Sequence, residues 1–479
     1  MTQRGEGLAS REIRARIRSL NRRDDITHLR AAAFDGQREA QYDLACAYAE
    51  GNGVPKNQRT AFRWFQKAAE LGDGEAMTAV GYCYLNGEGM ELDEDAAVHW
   101  LRRAKEEGSA DADRYLTGCL IYGQGMDQNL DLGISQAEEL FEATKDAEYA
   151  YLLACAYADL REDDAGAREW HAQAAALGHD ESMVWMGYYC RFGIGMPRNL
   201  KHAFQWYKRA ADAGNDAGME NLAVCYQHGE GVPQDLARAF DCRSQAASMG
   251  HPVSQRWLGK HLIHGAGVDA DPEKGIALLK ELADTDGTAC MMLGELYYYG
   301  EGVDSDLPLA TQWFEKAAAA QVPEAWTFLG TMAWHGEGQE KDPKRAEHLY
   351  KLAAEAGESQ AVFNLSYLFD ERGEADKALS SLEQAASMGH GGAACQLAKR
   401  SITGVGMPKD EGRAIDYLEP AVAEEDPDAL YMKAELLREG VGTAVDLRGA
   451  LELFQLAQIQ GRDTRVERGV LRRRIREQT

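Results

Sequence analysis

Positive charge is scarce in this sequence: 52 Lys/Arg stand against 78 Asp/Glu, a formal net charge of −26. The deficit is uneven. Residues 1–39 carry nine Lys/Arg against six Asp/Glu and residues 462–479 seven against three, leaving 36 against 69 in between, a net of −33. Such a body repels phosphate backbones, so nucleic acid is excluded as a partner along its length. Long apolar runs are missing as well; none approaches the roughly 18 uncharged residues of a membrane-spanning helix, so no membrane span is expected. The N-terminus reads Ile13-Arg14-Ala15-Arg16-Ile17-Arg18 with no apolar stretch behind it, and no secretory signal is expected. Catalytic signatures are absent: there is no His-Glu-x-x-His, no Walker sequence and no Gly-x-Ser-x-Gly. No Cys-x-x-Cys pair occurs among the nine cysteines, which removes the zinc ribbon. His261 and His264 stand three apart, but no third ligand is near them in sequence, so no metal is expected. These gaps point away from an enzyme and from any cofactor.

What the chain has in quantity is glycine in one arrangement. Gly-x-Gly turns begin at Gly51, Gly87, Gly123, Gly193, Gly229, Gly265, Gly300, Gly336, Gly404 and Gly440, spaced by 35 or 36 residues or by about twice that where one is missing. A fixed period of this size is the signature of a solenoid, in which each unit buries its apolar face against its neighbours.

One unit shows why. Ala40, Leu44 and Tyr48 fall four apart and form one stripe of a first helix. Gly51-Asn52-Gly53 ends it, and Val54-Pro55 turns the chain where a helix cannot continue. Ala61, Trp64, Phe65, Ala68 and Ala69 then make a second stripe that closes at Gly72. The small alanines let two helices approach while the aromatic pair fills the gap, an αα-hairpin. Trp64, Trp100, Trp170, Trp206 and Trp313 share one position of this stripe and read as core.

Six cysteines follow the period, at Cys46, Cys83, Cys119, Cys155, Cys190 and Cys225, all in first helices. A disulfide framework would need partners in second helices, where only Cys242 lies. They read as small buried apolar groups of a reducing compartment, and the expected location is cytoplasmic.

The pattern Ala-x3-Leu-x3-Tyr-x2-Gly-x-Gly-Val followed by Ala-x2-Trp-(Tyr/Phe)-x2-Ala-Ala-x2-Gly resembles the Sel-1-like repeat, a relative of the tetratricopeptide repeat. The resemblance implies an all-α fold, a right-handed superhelical solenoid of antiparallel helix pairs in about twelve units. It also implies scaffold or adaptor work without catalytic residues. The units containing Leu153 and Leu365 lack the Gly-x-Gly turn, and the unit containing Gly123 reads as carrying about four extra residues before Ala137. The domain expectation is a helical cap over 1–39, a repeat solenoid over 40–461 and a basic helix or tail over 462–479.

First helices line the concave wall of such a solenoid. The inward positions hold Tyr115, Trp185, Trp257, Tyr298, Tyr299, Phe328 and Trp334, joined by Tyr82, Tyr188 and Tyr367 two places after the repeat leucine. Trp and Tyr dominate interface energies, so these residues are the expected partner-binding surface. The alternative is that wide rings pack adjacent first helices together. The acidic surroundings favour a protein or peptide carrying Lys/Arg. Two other functions stand beside the adaptor: a bacterial immunity or regulatory protein that neutralises a toxin or secreted effector, and an enzyme with an unfamiliar site. The sequence sets no oligomeric state.

Overall fold

The computed structural model describes residues 23–478, which form twenty-six α-helices and, among the described residues, no strand. They fall into two compact units that divide after Ser254. The first holds α1 (Arg23–Phe34), α2 (Arg38–Glu50), α3 (Gln58–Glu70), α4 (Gly74–Asn86), α5 (Glu94–Glu106), α6 (Ala110–Tyr122) and α7 (Leu130–Thr144). It continues with α8 (Ala147–Asp159), α9 (Asp164–Ala176), α10 (Asp180–Phe192), α11 (Leu200–Asp212), α12 (Asp216–His228), α13 (Leu236–Ser248) and the start of α14 (Pro252–His264). The second holds the rest of α14, then α15 (Pro272–Leu282), α16 (Gly287–Tyr299), α17 (Leu307–Ala319), α18 (Pro323–His335), α19 (Pro343–Glu355) and α20 (Ser359–Glu371). It ends with α21 (Ala375–Ser387), α22 (Gly391–Thr403), α23 (Arg413–Ala423), α24 (Pro427–Glu439), α25 (Leu447–Ile459) and α26 (Arg465–Gln478). Even-numbered helices from α2 to α24 are first helices; each packs on the second helix that follows it, as in a repeat solenoid.

The two glycines of the turn do different work. Gly51 takes a left-handed conformation (φ 81°), and its N–H and that of Asn52 both reach the Ala47 carbonyl, closing the end of α2. Asn57 then donates its N–H to the Tyr48 carbonyl (2.8 Å) and caps α3 through its side chain, which accepts from the Thr60 N–H (2.9 Å). The second glycine lies against the preceding hairpin: a Cβ at Gly89 would collide with the Gln58 backbone at the start of α3, and one at Gly125 with the Glu94 backbone at the start of α5. The motif therefore ends a helix and seats one hairpin on the last.

In most second helices the core is built on the eighth residue. Phe65, Leu101, Tyr207, Leu279, Phe314, Tyr350 and Phe454 occupy it and are fully buried. The tryptophan one place earlier is not the centre. Trp64 is buried, but Trp100, Trp206 and Trp313 are half-buried, each under a cation three residues on: Arg103 at 4.6 Å, Arg209 at 4.4 Å and Lys316 at 4.1 Å from the ring centroid. A wide ring at the helix flank is roofed by a long basic side chain.

The irregular unit also departs from expectation. α7 begins seven residues after Gly123, as α5 begins seven after Gly87, so the connecting loop is of ordinary length. Gly133, not Ala137, takes the small-residue position, and a Cβ there would meet Ile121 Cγ1 at 2.5 Å. The extra length is in the helix, which runs 15 residues where its counterparts run 13.

All nine cysteines are free. Burial pushes the Cys119, Cys155 and Cys225 thiols up to about 12, away from reactive thiolate. At the chain ends, Ile26 and Ala33 of α1 pack into the first hairpin, and Leu471 of α26 is buried against Phe454 and Leu447. Residues 1–22, most of the expected N-terminal cap, lie outside the described residues. No helix among the described residues is long and apolar enough to cross a membrane.

Candidate interaction surfaces

The sixth, ninth and thirteenth residues of a first helix lie one turn and then one turn further along a single face. In α10 all three are aromatic: Trp185, Tyr188 and Phe192. Their rings touch in series, Trp185 to Tyr188 at 5.6 Å and Tyr188 to Phe192 at 4.7 Å between centroids. Tyr188 is 40% exposed and Phe192 55%, while Trp185 is half-buried at the base of the ridge. Phe192 escaped the sequence reading, although its place before Gly193 and one turn after Tyr188 was the available signal.

Trp185 rests on His171, which fills the eighth position of α9. The two rings stack at 5.6 Å with 17° between planes, and His171 Nδ1 shares a 3.2 Å hydrogen bond with Ser182 Oγ. Burial, with His179 adding to it, lowers the His171 pKa to about 3. The unfolded chain takes up this proton near pH 6.5 and the folded chain does not until about pH 3, so folding stability falls as pH drops through that window. The expected loss from this residue is about 2 kcal/mol between pH 7 and pH 5. His171→Phe should flatten the pH dependence of the urea midpoint by that amount; an unchanged slope would show that the imidazole protonates freely in the folded chain.

Elsewhere in the first unit, Tyr82 and Tyr115 meet edge-to-face at 5.8 Å on neighbouring first helices. Tyr82 is buried, and burial together with Glu88 raises its phenol above the ordinary range. This ring packs one first helix on the next, the alternative reading of these positions.

In the second unit the same face carries a different set. The ninth and thirteenth residues of α16 are Glu295 and Tyr299, with Phe328 of α18 beside them. Tyr298, Tyr299 and Phe328 stand nearly perpendicular to one another, with centroids 4.9, 5.7 and 6.3 Å apart. Tyr299 is 59% exposed, whereas Phe328 stacks on the core ring of Phe314 at 4.8 Å and Tyr298 donates its hydroxyl to Glu337 (2.7 Å). Burial raises the Glu295 carboxyl; Lys260 opposes the shift, and Glu301 and Glu324 add to it. Trp257 of α14 lies half-buried with Lys260 over its ring at 5.4 Å. Tyr367 is 42% exposed and rests edge-on against Phe363.

Trp334 does not belong to an open surface. It is 9% exposed, packs with Tyr350 and Phe369, and donates Nε1–H to Glu371 of the next first helix (3.1 Å). Like the Tyr298–Glu337 bond, this is a tie between successive hairpins. The ten expected residues thus divide: Tyr188, Tyr299 and Tyr367 are exposed, Tyr82 and Trp334 are buried, and Tyr115, Trp185, Trp257, Tyr298 and Phe328 lie between.

Chemistry finds little to use here. His261 is buried with Nδ1 against the Ala266 carbonyl (2.6 Å), while His264 faces Glu301 at 3.4 Å. Among the described residues no three His, Cys, Asp or Glu side chains are placed to hold a metal ion. One open depression of about 640 Å³ lies beside the α16–α17 loop, lined by Tyr297, Asp304, Ser305, Asp306 and Leu307. Its Asp306 carboxylate is occupied in capping α17 through the Leu309 N–H (3.0 Å).

Stacked αα-hairpins with exposed aromatic positions on their first helices define the class: an all-α repeat solenoid, a protein-interaction scaffold type. The Sel1 repeat model matches residues 38–73, 74–109, 147–179, 180–215, 216–251, 252–284, 287–322, 323–358, 392–426 and 427–460. The chain belongs to the Sel1 repeat family. The unmatched stretches include α6–α7, with the long helix, and α20–α21, which lacks the Gly-x-Gly turn. Among solved structures the chain is similar to a protective antigen with an SLR fold from uropathogenic Escherichia coli strains, at 26% identity over 94% of this chain and 90% of that one (TM-score 0.45). It is also similar to a Sel1 repeat protein from Oxalobacter formigenes, at 24% identity over 77% and 97% (TM-score 0.36). An immunity protein from Pseudomonas aeruginosa aligns at 22% identity over 44% and 81% (TM-score 0.32). No curated protein matches the chain.

Proposed function

We propose that this protein is a non-catalytic adaptor that captures a partner protein or peptide on the exposed aromatic positions of its first helices. The observation that carries this reading is the α10 ridge, where three aromatic side chains follow one another along one face and the outer two are 40% and 55% exposed. Solvated rings of this kind contribute most when a partner desolvates them. Tyr299 is the corresponding anchor of the second unit. The carboxylates around it favour a partner carrying Lys or Arg. The basic segments 1–39 and 462–479 flank the repeats as end pieces.

The test is capture from native lysate with Tyr188→Ala/Phe192→Ala/Tyr299→Ala as the comparison bait. Each anchor is expected to contribute about 2 kcal/mol, roughly 30-fold in affinity. The triple variant should therefore lose the partner while keeping wild-type helical content and midpoint. Capture that is unchanged in the variant would remove these faces from the binding surface. Trp334 is left intact because its replacement would open the core.

A further inference from the structure

The acidic aromatic patch of the second unit calls for a cationic occupant, and the chain itself contains one. Residues 1–22 hold Arg4, Arg11, Arg14, Arg16, Arg18 and Arg22 against only Glu6 and Glu12. Leu8, Ile13, Ile17 and Leu20 are interspersed with them, so the segment offers guanidinium groups and aliphatic side chains together. We propose that the α16–α18 patch of one molecule binds residues 4–22 of a second copy. This rests on the reading of the first-helix faces as docking surfaces.

Three observations favour that occupant. Tyr299 is the exposed ring of the patch, with Glu295 one turn before it on α16, Glu301 two residues after it, and Glu337 bonded at 2.7 Å to Tyr298, whose ring lies 4.9 Å from that of Tyr299. Arginine is suited to this setting because its planar cation lies over a ring face while its N–H groups reach carboxylates. The chain already seats cations in this way, with Arg209 over Trp206 at 4.4 Å and Arg462 over Tyr431 at 3.9 Å.

A contact between a terminal segment of one copy and the body of another is heterologous, and so supports chains or rings of molecules.

Sedimentation velocity of the full chain is the experiment. At low ionic strength the weight-average sedimentation coefficient should rise with protein concentration, and the rise should vanish at about 0.3 M salt as screening sets in. Arg14→Glu/Arg16→Glu/Arg18→Glu should weaken association at least about tenfold, and so should Glu301→Lys/Glu324→Lys, at two exposed positions. Mixing the two variants should restore association, since the intact patch of one meets the intact segment of the other and the two reversed charge sets also match. A sedimentation coefficient independent of concentration at low salt, or association indifferent to both charge sets, would overturn the proposal. If that happens while the Tyr188/Phe192/Tyr299 variant still loses its lysate partner, the adaptor reading stands and only the self-recognition falls.

Discussion

Glu220→Ala should cost about 3–5 kcal/mol of folding stability, the penalty for stranding a charge in a core. The stranded group is Arg243, which sits in the eighth position of α13 where other second helices place Phe65, Tyr207 or Phe314, and is 1% exposed. Its Nε and Nη2 each donate to Glu220 Oε1 at 3.1 Å, and Nη1 donates to Gln227 Oε1 at 2.5 Å. Ser254 Oγ donates to Glu220 Oε2 (2.7 Å) and lies 2.9 Å from His251 Nδ1, so the carboxylate is held from two sides. Glu220→Leu together with Arg243→Leu removes both charges and fills the space with the residue type found at Leu101; it should recover most of the loss, since an apolar pair of similar volume commonly equals a buried ion pair. Urea midpoints of the two variants decide the matter. A single variant as stable as wild type would mean that water reaches Arg243 and the ion pair is not a core element.

Gly231→Ala should destabilise by about 3 kcal/mol or more, against about 1–2 kcal/mol for Gly214→Ala. Both glycines have positive φ, 73° and 91°. They differ in their surroundings: a Cβ at Gly231 would fall on the Leu200 carbonyl at the start of α11, while one at Gly214 meets nothing within 4 Å. Gly214→Ala therefore reports conformational strain alone, and the excess at Gly231 reports the close approach of one hairpin to the next. Hydrogen exchange should show the loss concentrated in α11 and α12, because a solenoid couples neighbours more than distant units. Equal effects for the two substitutions would mean that the second glycine of the turn serves its own loop and not the stacking of hairpins.

How far the fold was legible follows from the same residues. Every hairpin from α2 to α25 was signalled by glycine turns, alanine pairs or a leucine stripe, because local backbone needs and 3.6-residue periodicity are written into neighbouring positions. Depth was not written there. Trp100 and Phe65 fall on the same stripe, yet only Phe65 is fully buried, since one position of difference turns a side chain from the centre of a hairpin toward its flank. Trp334 and Tyr188 both read as inward first-helix aromatics, yet the next hairpin covers one and leaves the other open. Arg243 is the sharpest case: on an amphipathic helix an arginine reads as solvent-facing, and it is Glu220 and Gln227 on the preceding helix that make its burial tolerable.

The sequence by itself determined the class of this protein, its repeat length, its hairpin boundaries outside the unit of Gly123, and its acidic body with basic ends. All of these depend on residue type and spacing along the chain. The tertiary structure decided which aromatic rings are ties and which are surface, where the core centre lies within each stripe, and that an ion pair replaces an aromatic ring in α13. Those outcomes depend on what the adjacent helix presents about one repeat away in sequence, and burial is a property of the pair of helices and not of either one.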